Sequence, residues 1–227
     1  MVIDQKRQFK AILFDLDGTL VNTLKDITDI TNRVLKKRGF PEHNADSYRY
    51  RVGNGARVLI EKSLPPALLT EELIEECLTE FSGIYSADPI GTSIPYPGIL
   101  ELLDKIESLK IPKSILSNKP DAITKQVVQT LFDSYSFTAV QGAKEGIPKK
   151  PDPQAALEIC GKMGVQPEEV LYLGDSGVDM ETAVSGGMFP AGVQWGFRDT
   201  EELKAHGAEM IISQPSEILN YLTNFHG

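Results

Sequence analysis

The chain has 227 residues, of which 41% are hydrophobic and 24% charged, and it carries a formal net charge of -9. That length suits one large domain or one domain carrying an insert. The acidic balance argues against a nucleic-acid partner, which needs clustered Lys and Arg. No apolar run approaches the roughly 20 residues of a membrane span, and Met1 to Lys10 is polar with mixed charge, unlike a signal peptide. A cytoplasmic protein with no membrane partner is expected, its oligomeric state left open. The two cysteines, Cys77 and Cys160, sit among apolar residues without zinc-like spacing and read as buried free thiols.

In chain order, Ala11 to Phe14 is a short apolar run that ends in Asp15. From about Asn22 to Ala87 the periodicity turns helical: Leu24, Ile27, Ile30, Val34 and Leu35 recur at three- and four-residue steps, as do Leu73, Ile74, Cys77, Leu78, Phe81, Ile84 and Tyr85. Asp88-Pro89, Gly91 and Pro95-Tyr96-Pro97-Gly98 mark a turn-rich return. Lys113 to Leu116 runs into Ser117, and Pro120-Asp121 opens a helix. Asp152-Pro153 offers an N-cap with proline at the first helical position, and Gly164 can close that helix. Val170 to Leu173 runs into Gly174 and Asp175. Ala191 to Trp195 and Glu209 to Ile212 read as two further strands, and Pro215-Ser216-Glu217 opens the last helix. Short buried strands alternating with helices imply a doubly wound α/β domain with a parallel sheet, interrupted after its first strand by a helical insert.

Four clusters of polar residues fall at strand ends. Asp15-Leu16-Asp17-Gly18-Thr19 follows the first strand; at i and i+2 of an extended chain, Asp15 and Asp17 project to the same side. Adjacent carboxylates repel unless a cation or a proton separates them, although an Asp-Gly pair also suits a solvated turn. Gly174-Asp175-Ser176-Gly177-Val178-Asp179 opens a helix and turns two carboxylates the same way; hard oxygen donors of this kind suit magnesium, and capping is the simpler role for either alone. Ser117-Asn118-Lys119 offers a hydroxyl and backbone N–H groups to a phosphate, or a simple cap. Lys149-Lys150-Pro151-Asp152-Pro153 brings lysine to a stiffened loop. All four lie where open α/β sheets bind ligands, at the carboxyl edge.

These motifs, in this order, resemble those of the haloacid dehalogenase superfamily, and within it the phosphoglycolate phosphatase-like group. Val52-Gly53-Asn54-Gly55, Pro97-Gly98 and Ala191-Gly192-Val193-Gln194-Trp195-Gly196 extend the resemblance over nearly the whole chain. It implies a Rossmann-like core over residues 1–20 and 93–227 and a helical cap over 21–92. It implies Asp15 as nucleophile and Asp17 as general acid and base. Mg2+ would be held by Asp15, the backbone carbonyl of Asp17 and Asp175, with Asp179 ordering a metal-bound water. Thr19, Ser117, Asn118 and Lys150 would hold the phosphoryl oxygens, Lys150 being chosen over Lys149 because it directly precedes proline. Ser117 stands where threonine is common and keeps the hydroxyl. Asn22 replaces a frequent aspartate and can cap the first cap helix.

The implied activity is hydrolysis of a small phosphate monoester, 2-phosphoglycolate foremost, through an aspartyl-phosphate. A β-phosphoglucomutase-like phosphomutase or a pyrophosphatase would use the same residues. The presence of Asp17 speaks against a dehalogenase, and the intact motif set against a catalytically silent binding protein on the same fold. Arg51, Asn54 and Arg57 could meet a substrate carboxylate, a task suited to arginine, or could form a solvated basic loop.

Overall fold

The computed structural model describes residues 8–222, so most of the leader-free reading of Met1 to Lys10 falls outside the described residues. Strand β1 (Ala11–Phe14) is followed by a two-residue strand β2 (Val21–Asn22), helices α1 (Leu24–Lys37), α2 (Ala45–Tyr48), α3 (Ala56–Ser63) and α4 (Glu71–Ala87), and a second short strand β3 (Ile94–Pro95). Then come α5 (Ile99–Ser108), β4 (Lys113–Pro120), α6 (Asp121–Leu131), β5 (Ala139–Ala143), α7 (Gln154–Met163), β6 (Val170–Gly174), α8 (Gly177–Ser185), β7 (Phe189–Val193), α9 (Thr200–Ala205), β8 (Met210–Ile212) and a 3-10 segment, Pro215–Tyr221. No helix among the described residues is long and apolar enough to cross a membrane.

The main sheet has six parallel strands in the order β5-β4-β1-β6-β7-β8. Successive side chains of a strand face opposite sides of the sheet, and β1 shows the consequence: Ile12 and Phe14 enter one apolar cluster, Ala11 and Leu13 the other. Both faces are covered, which is why the strands read as continuous apolar runs. The strand order leaves β1 toward β4 and β5, then returns to β6 on its other side. That reversal opens a crevice at the carboxyl ends of β1, β4 and β6.

The helical insert enters and leaves through β2 and β3, which pair antiparallel, Val21 opposite Pro95 and Asn22 opposite Ile94. Asn22 therefore sits in an exposed strand position, and the residue at the N-cap of α1 is Thr23, which makes no side-chain cap bond. The expected capping by Asn22 is corrected, because pairing with Ile94 holds it one residue too early. Buried Asp26, in the first turn of α1, ties the two linkers together by accepting hydrogen bonds from Thr92 N and Oγ1 and from Ser93 Oγ.

Other boundaries moved for local reasons. β4 continues past Leu116 to Pro120 with a register shift against β5, so Ser117 and its neighbours form the strand's own end. β5, with the sequence AVQGA, escaped the sequence reading because an edge strand carrying Gln141 and Gly142 lacks an apolar run. β7 starts at Phe189 and ends before Trp195. In α7 the N-cap is Pro153 rather than Asp152, whose carboxylate accepts from Gln154 N at 2.9 Å, while Gly164 closes the helix at φ 71°. Both cysteines are buried free thiols.

Candidate active site

Asp15 emerges from β1 with its backbone N–H donating to Leu173 O at 2.9 Å, which fixes it to the end of β6. Asp175 follows β6 directly. Asp179 lies in the first turn of α8, where a capping box sets its orientation: its Oδ2 accepts from Ser176 N (3.1 Å) and Ser176 Oγ (2.6 Å). Oxygen atoms of Asp15, Asp175 and Asp179 lie within 4.8 Å of one another, and all three residues are buried. Lys150 reaches into the cluster, donating to Asp15 Oδ1 at 2.7 Å and to Asp179 Oδ1 at 2.6 Å. Lys149 is exposed, its Nζ beside Gly55 of the insert, so Lys150 is the lysine of the site.

The charges explain the energetics. Burial, then the neighbouring Asp179 carboxylate, push the Asp15 carboxyl up to about 7 against the opposing pull of Lys150. Asp175 is raised well above the carboxylate range by burial first and by Asp15 and Asp179 next. Burial opposes the charge on Lys150, but Asp15 and Asp179 outweigh it and hold its pKa well above the ordinary value. Three buried carboxyls facing one ammonium leave an excess of negative charge that a hard divalent cation would balance. Oxygen donors with no His or Cys among them fit magnesium and not zinc. Close packing keeps the cluster tight: a Cβ on Gly18, whose φ is 92°, would lie 2.1 Å from Asp175 Oδ2.

Asp17 is not part of this cluster. Its carboxylate accepts from Lys119 Nζ at 3.0 and 3.1 Å, so any share in metal binding falls to its main chain. Lys119 also donates to the hydroxyl of Tyr85, which comes from α4 of the insert, and its ammonium lies 4.2 Å from the Tyr85 ring centroid. Lys119 stands in the Ser117-Asn118-Lys119 cluster and Tyr85 in the helical periodicity, but the sequence reading gave neither side chain a role. Tyr85 reads as one more apolar position of an amphipathic helix, and the one available signal was the position of Lys119, directly after Ser117-Asn118.

The remaining expected residues divide. Ser117 is buried in the wall of a cavity of about 50 Å³ that also includes Asp15, Asp17 and Lys150. Asn118 lines it too, but its side chain is occupied: Nδ2 donates to Gly53 O and Lys150 O, and Oδ1 accepts from Lys150 N, each at 3.0 Å. The side chain positions the lysine loop and the insert loop, which leaves the Asn118 backbone N–H as the group it can offer a phosphate. Thr19 is buried with its hydroxyl lacking a hydrogen-bonding partner among the described residues, and it does not reach the cavity wall.

The basic residues of the insert do not line the cavity. Arg57 is held on the outer surface by Glu61 (2.9 Å), Glu71 (2.6 Å) and Glu75. Arg51 donates to Lys62 O at 3.0 Å and lies over the Tyr48 ring, and Asn54 is absent from the wall. Local acids and carbonyls satisfy the two guanidinium groups here. Two arginines missed by sequence reading instead lock insert to core. Arg49 donates to Gly196 O and Phe197 O, and Arg198 donates to Val52 O.

The chain is similar to known proteins over most of its length. The haloacid dehalogenase-like hydrolase family matches residues 12–193. An N-acetylmuramic acid 6-phosphate phosphatase of Pseudomonas aeruginosa is 31% identical over 219 residues, covering 96% of each chain. A phosphoglycolate phosphatase of Aquifex aeolicus is 30% identical over 215 residues, covering 95% of this chain and 97% of its own. Among solved structures, one described as a predicted phosphoglycolate phosphatase from Haemophilus somnus superposes with a TM-score of 0.85 at 27% identity, covering 94% and 98% of the two chains. The strand order, the buried carboxylate cluster and these full-length matches agree, and the chain belongs to the haloacid dehalogenase-like hydrolases.

Proposed function

We propose that this hydrolase cleaves small phosphate monoesters, 2-phosphoglycolate foremost, through a phosphoryl group carried transiently on Asp15. The observation that carries the reading is the buried Asp15 carboxylate, oriented by Lys150 at 2.7 Å within a cluster of oxygen donors. Asp15 attacks phosphorus, and the ester P–O bond breaks with its electron pair leaving on the alkoxide oxygen. Asp17, held through both oxygens by Lys119, gives that oxygen a proton. Asp17 then takes a proton from a water that attacks the same phosphorus, and release of phosphate restores the Asp15 carboxylate. Ser117 and Lys150 hold the phosphoryl oxygens.

Asp15, Asp175 and the carbonyl of Asp17 would hold Mg2+, with Asp179 beside them; the ion supplies the positive charge that lets an anionic carboxylate approach an anionic phosphate. The helices of residues 21–92 serve as a cap over the core of 1–20 and 93–227, excluding bulk water and confining the leaving group.

Phosphoglycolate is favoured by a relative of that name over nearly the full chain, and a small cavity suits it. The N-acetylmuramic acid 6-phosphate phosphatase supports a second reading, a larger acidic sugar phosphate, which would need the insert to move outward. Release of inorganic phosphate from a panel holding both esters, a hexose phosphate and pyrophosphate, reported as kcat/KM, separates these readings. Hydrolysis should stop in excess chelator and return with magnesium, but not with calcium, whose larger coordination sphere displaces the attacking carboxylate. Full turnover in chelator, or conversion of a hexose phosphate to its isomer without phosphate release, would overturn the assignment.

A further inference from the structure

The cavity wall has two chemically distinct parts. On the core side are the charged groups already described. On the insert side the wall is formed by Ile27, Val52, Ala56, Leu59, Phe81 and Tyr85, and the Tyr85 hydroxyl is the polar side-chain group among them. Lys119 and Lys150 are the cations in the wall, and Lys150, beside Asp15 and Asp179, belongs to the end that takes the phosphoryl group. Lys119 alone stands at the junction of the two parts, between Asp17 and Tyr85. Tyr85 Oη accepts a hydrogen bond from Lys119, and its own proton meets no acceptor among the described residues. A buried phenol normally places that proton.

We infer that Lys119 and Tyr85 together form the subsite for an anionic group on the leaving alcohol, a carboxylate one or two carbons from the ester oxygen. The ammonium would supply the charge and Tyr85 a directed O–H donor. The apolar remainder of the insert wall favours leaving groups in which that carboxylate is the sole charge. Arg51 and Arg57 play no part, being bound elsewhere. This inference rests on the phosphatase reading and assigns to its site a substrate class and two specificity-determining residues.

The test compares 2-phosphoglycolate with 2-hydroxyethyl phosphate, which has nearly the same size and leaving-group basicity but no carboxylate. The wild-type enzyme, loaded with magnesium, should prefer phosphoglycolate by tenfold or more in kcat/KM. Tyr85→Phe keeps the ring over Lys119 and removes the hydroxyl, which is both the proposed donor to substrate and the acceptor of the Lys119 hydrogen bond. It should lower kcat/KM for phosphoglycolate about tenfold, mainly through KM, and change the neutral ester less than about threefold. Lys119→Gln also disturbs Asp17, so its readout is the ratio between the two esters, which should fall toward one. Thermal melting of each variant shows whether it has folded. If wild type releases phosphate from neither ester but does so from a larger one, the subsite assignment is wrong; if no ester of the panel is hydrolysed, the phosphatase reading fails. If wild type hydrolyses both with equal efficiency, or if Tyr85→Phe slows both equally, the subsite assignment is wrong and the phosphatase reading stands.

Discussion

On the core side of the cavity, Asp15, Asp17, Ser117 and Lys150 project from strand ends and the loops beside them, and Asp15, Asp17 and Lys150 are each fixed by a bond to another element. On the insert side, Ile27, Leu59 and Phe81 present a surface that could belong to any helical hairpin. The contrast teaches where each kind of information is stored. Phosphoryl chemistry needs charges at fixed spacing, so it is written in compact motifs. Leaving-group choice needs a shaped wall and one or two polar atoms, so it is written in positions that look like ordinary core.

The sharpest way to break this division is to neutralise the core wall. Asp15→Asn should lower kcat by at least ~10³-fold, because an amide is a poor nucleophile and a poor anionic ligand. The fold should persist, since replacing one of three buried carboxylates relieves repulsion. Near-normal single-turnover rates with a natural alkyl ester would show that no phosphoryl group passes through this residue.

The second test strikes the element that joins the two walls. Asn118 holds three backbone atoms, one on the insert loop and two on Lys150. Asn118→Ala strands these groups in a buried setting, and chemical denaturation should show a loss of about 2–4 kcal/mol. Activity should fall about tenfold or more with every ester alike, because Lys150 loses its anchor. A selective effect on one ester would make Asn118 a substrate contact after all.

The core wall also makes a prediction about acid. In metal-free protein the Asp15 carboxyl titrates at about 7, against 3.8 as the reference value. A raised folded pKa means that the native state binds the extra proton in that interval. The stability linked to it is complete below about pH 4 and is lost as the pH climbs to about 7. Asp175 shifts in the same direction. Added magnesium binds the ionised carboxyls, so it should raise Tm more at pH 8 than at pH 5. A magnesium-induced shift that is independent of pH would remove these carboxyls from the metal site.

The core wall was legible because each of its residues sits in a dense polar motif bounded by an apolar strand. Asp15, Ser117 and Asp175 could be placed at one sheet edge from strand-helix alternation alone. Lys150 is told from Lys149 by the proline that directly follows it, although the two share a side chain and have opposite environments, one buried and one exposed. The role of Asn118 was out of reach because it depends on Gly53, 65 residues away. Tyr85 hid in the periodicity of α4, where Phe81 and Cys77 mark the same buried face. β5 was missed because its burial is incomplete and its pattern mixed.

The smallest expected effect tests where the insert's charges act. Arg57 looks from the sequence like an anion receptor beside a glycine-rich loop, yet its guanidinium is shared by Glu61, Glu71 and Glu75, all on the exposed face of α3 and α4. Exposed ion pairs gain little from mutual attraction, because water solvates the separated charges nearly as well and salt screens them. The network holds three acids around one base, so removing the base leaves the acids to repel one another weakly through solvent. Arg57→Ala should therefore lower Tm by no more than ~2 °C, a difference that shrinks further in high salt. The kcat/KM ratio between phosphoglycolate and 2-hydroxyethyl phosphate should not move, since no part of Arg57 reaches the cavity. A selective loss on phosphoglycolate would mean that Arg57 leaves its glutamates when substrate binds, and would return carboxylate recognition from Lys119 and Tyr85 to the outer loop.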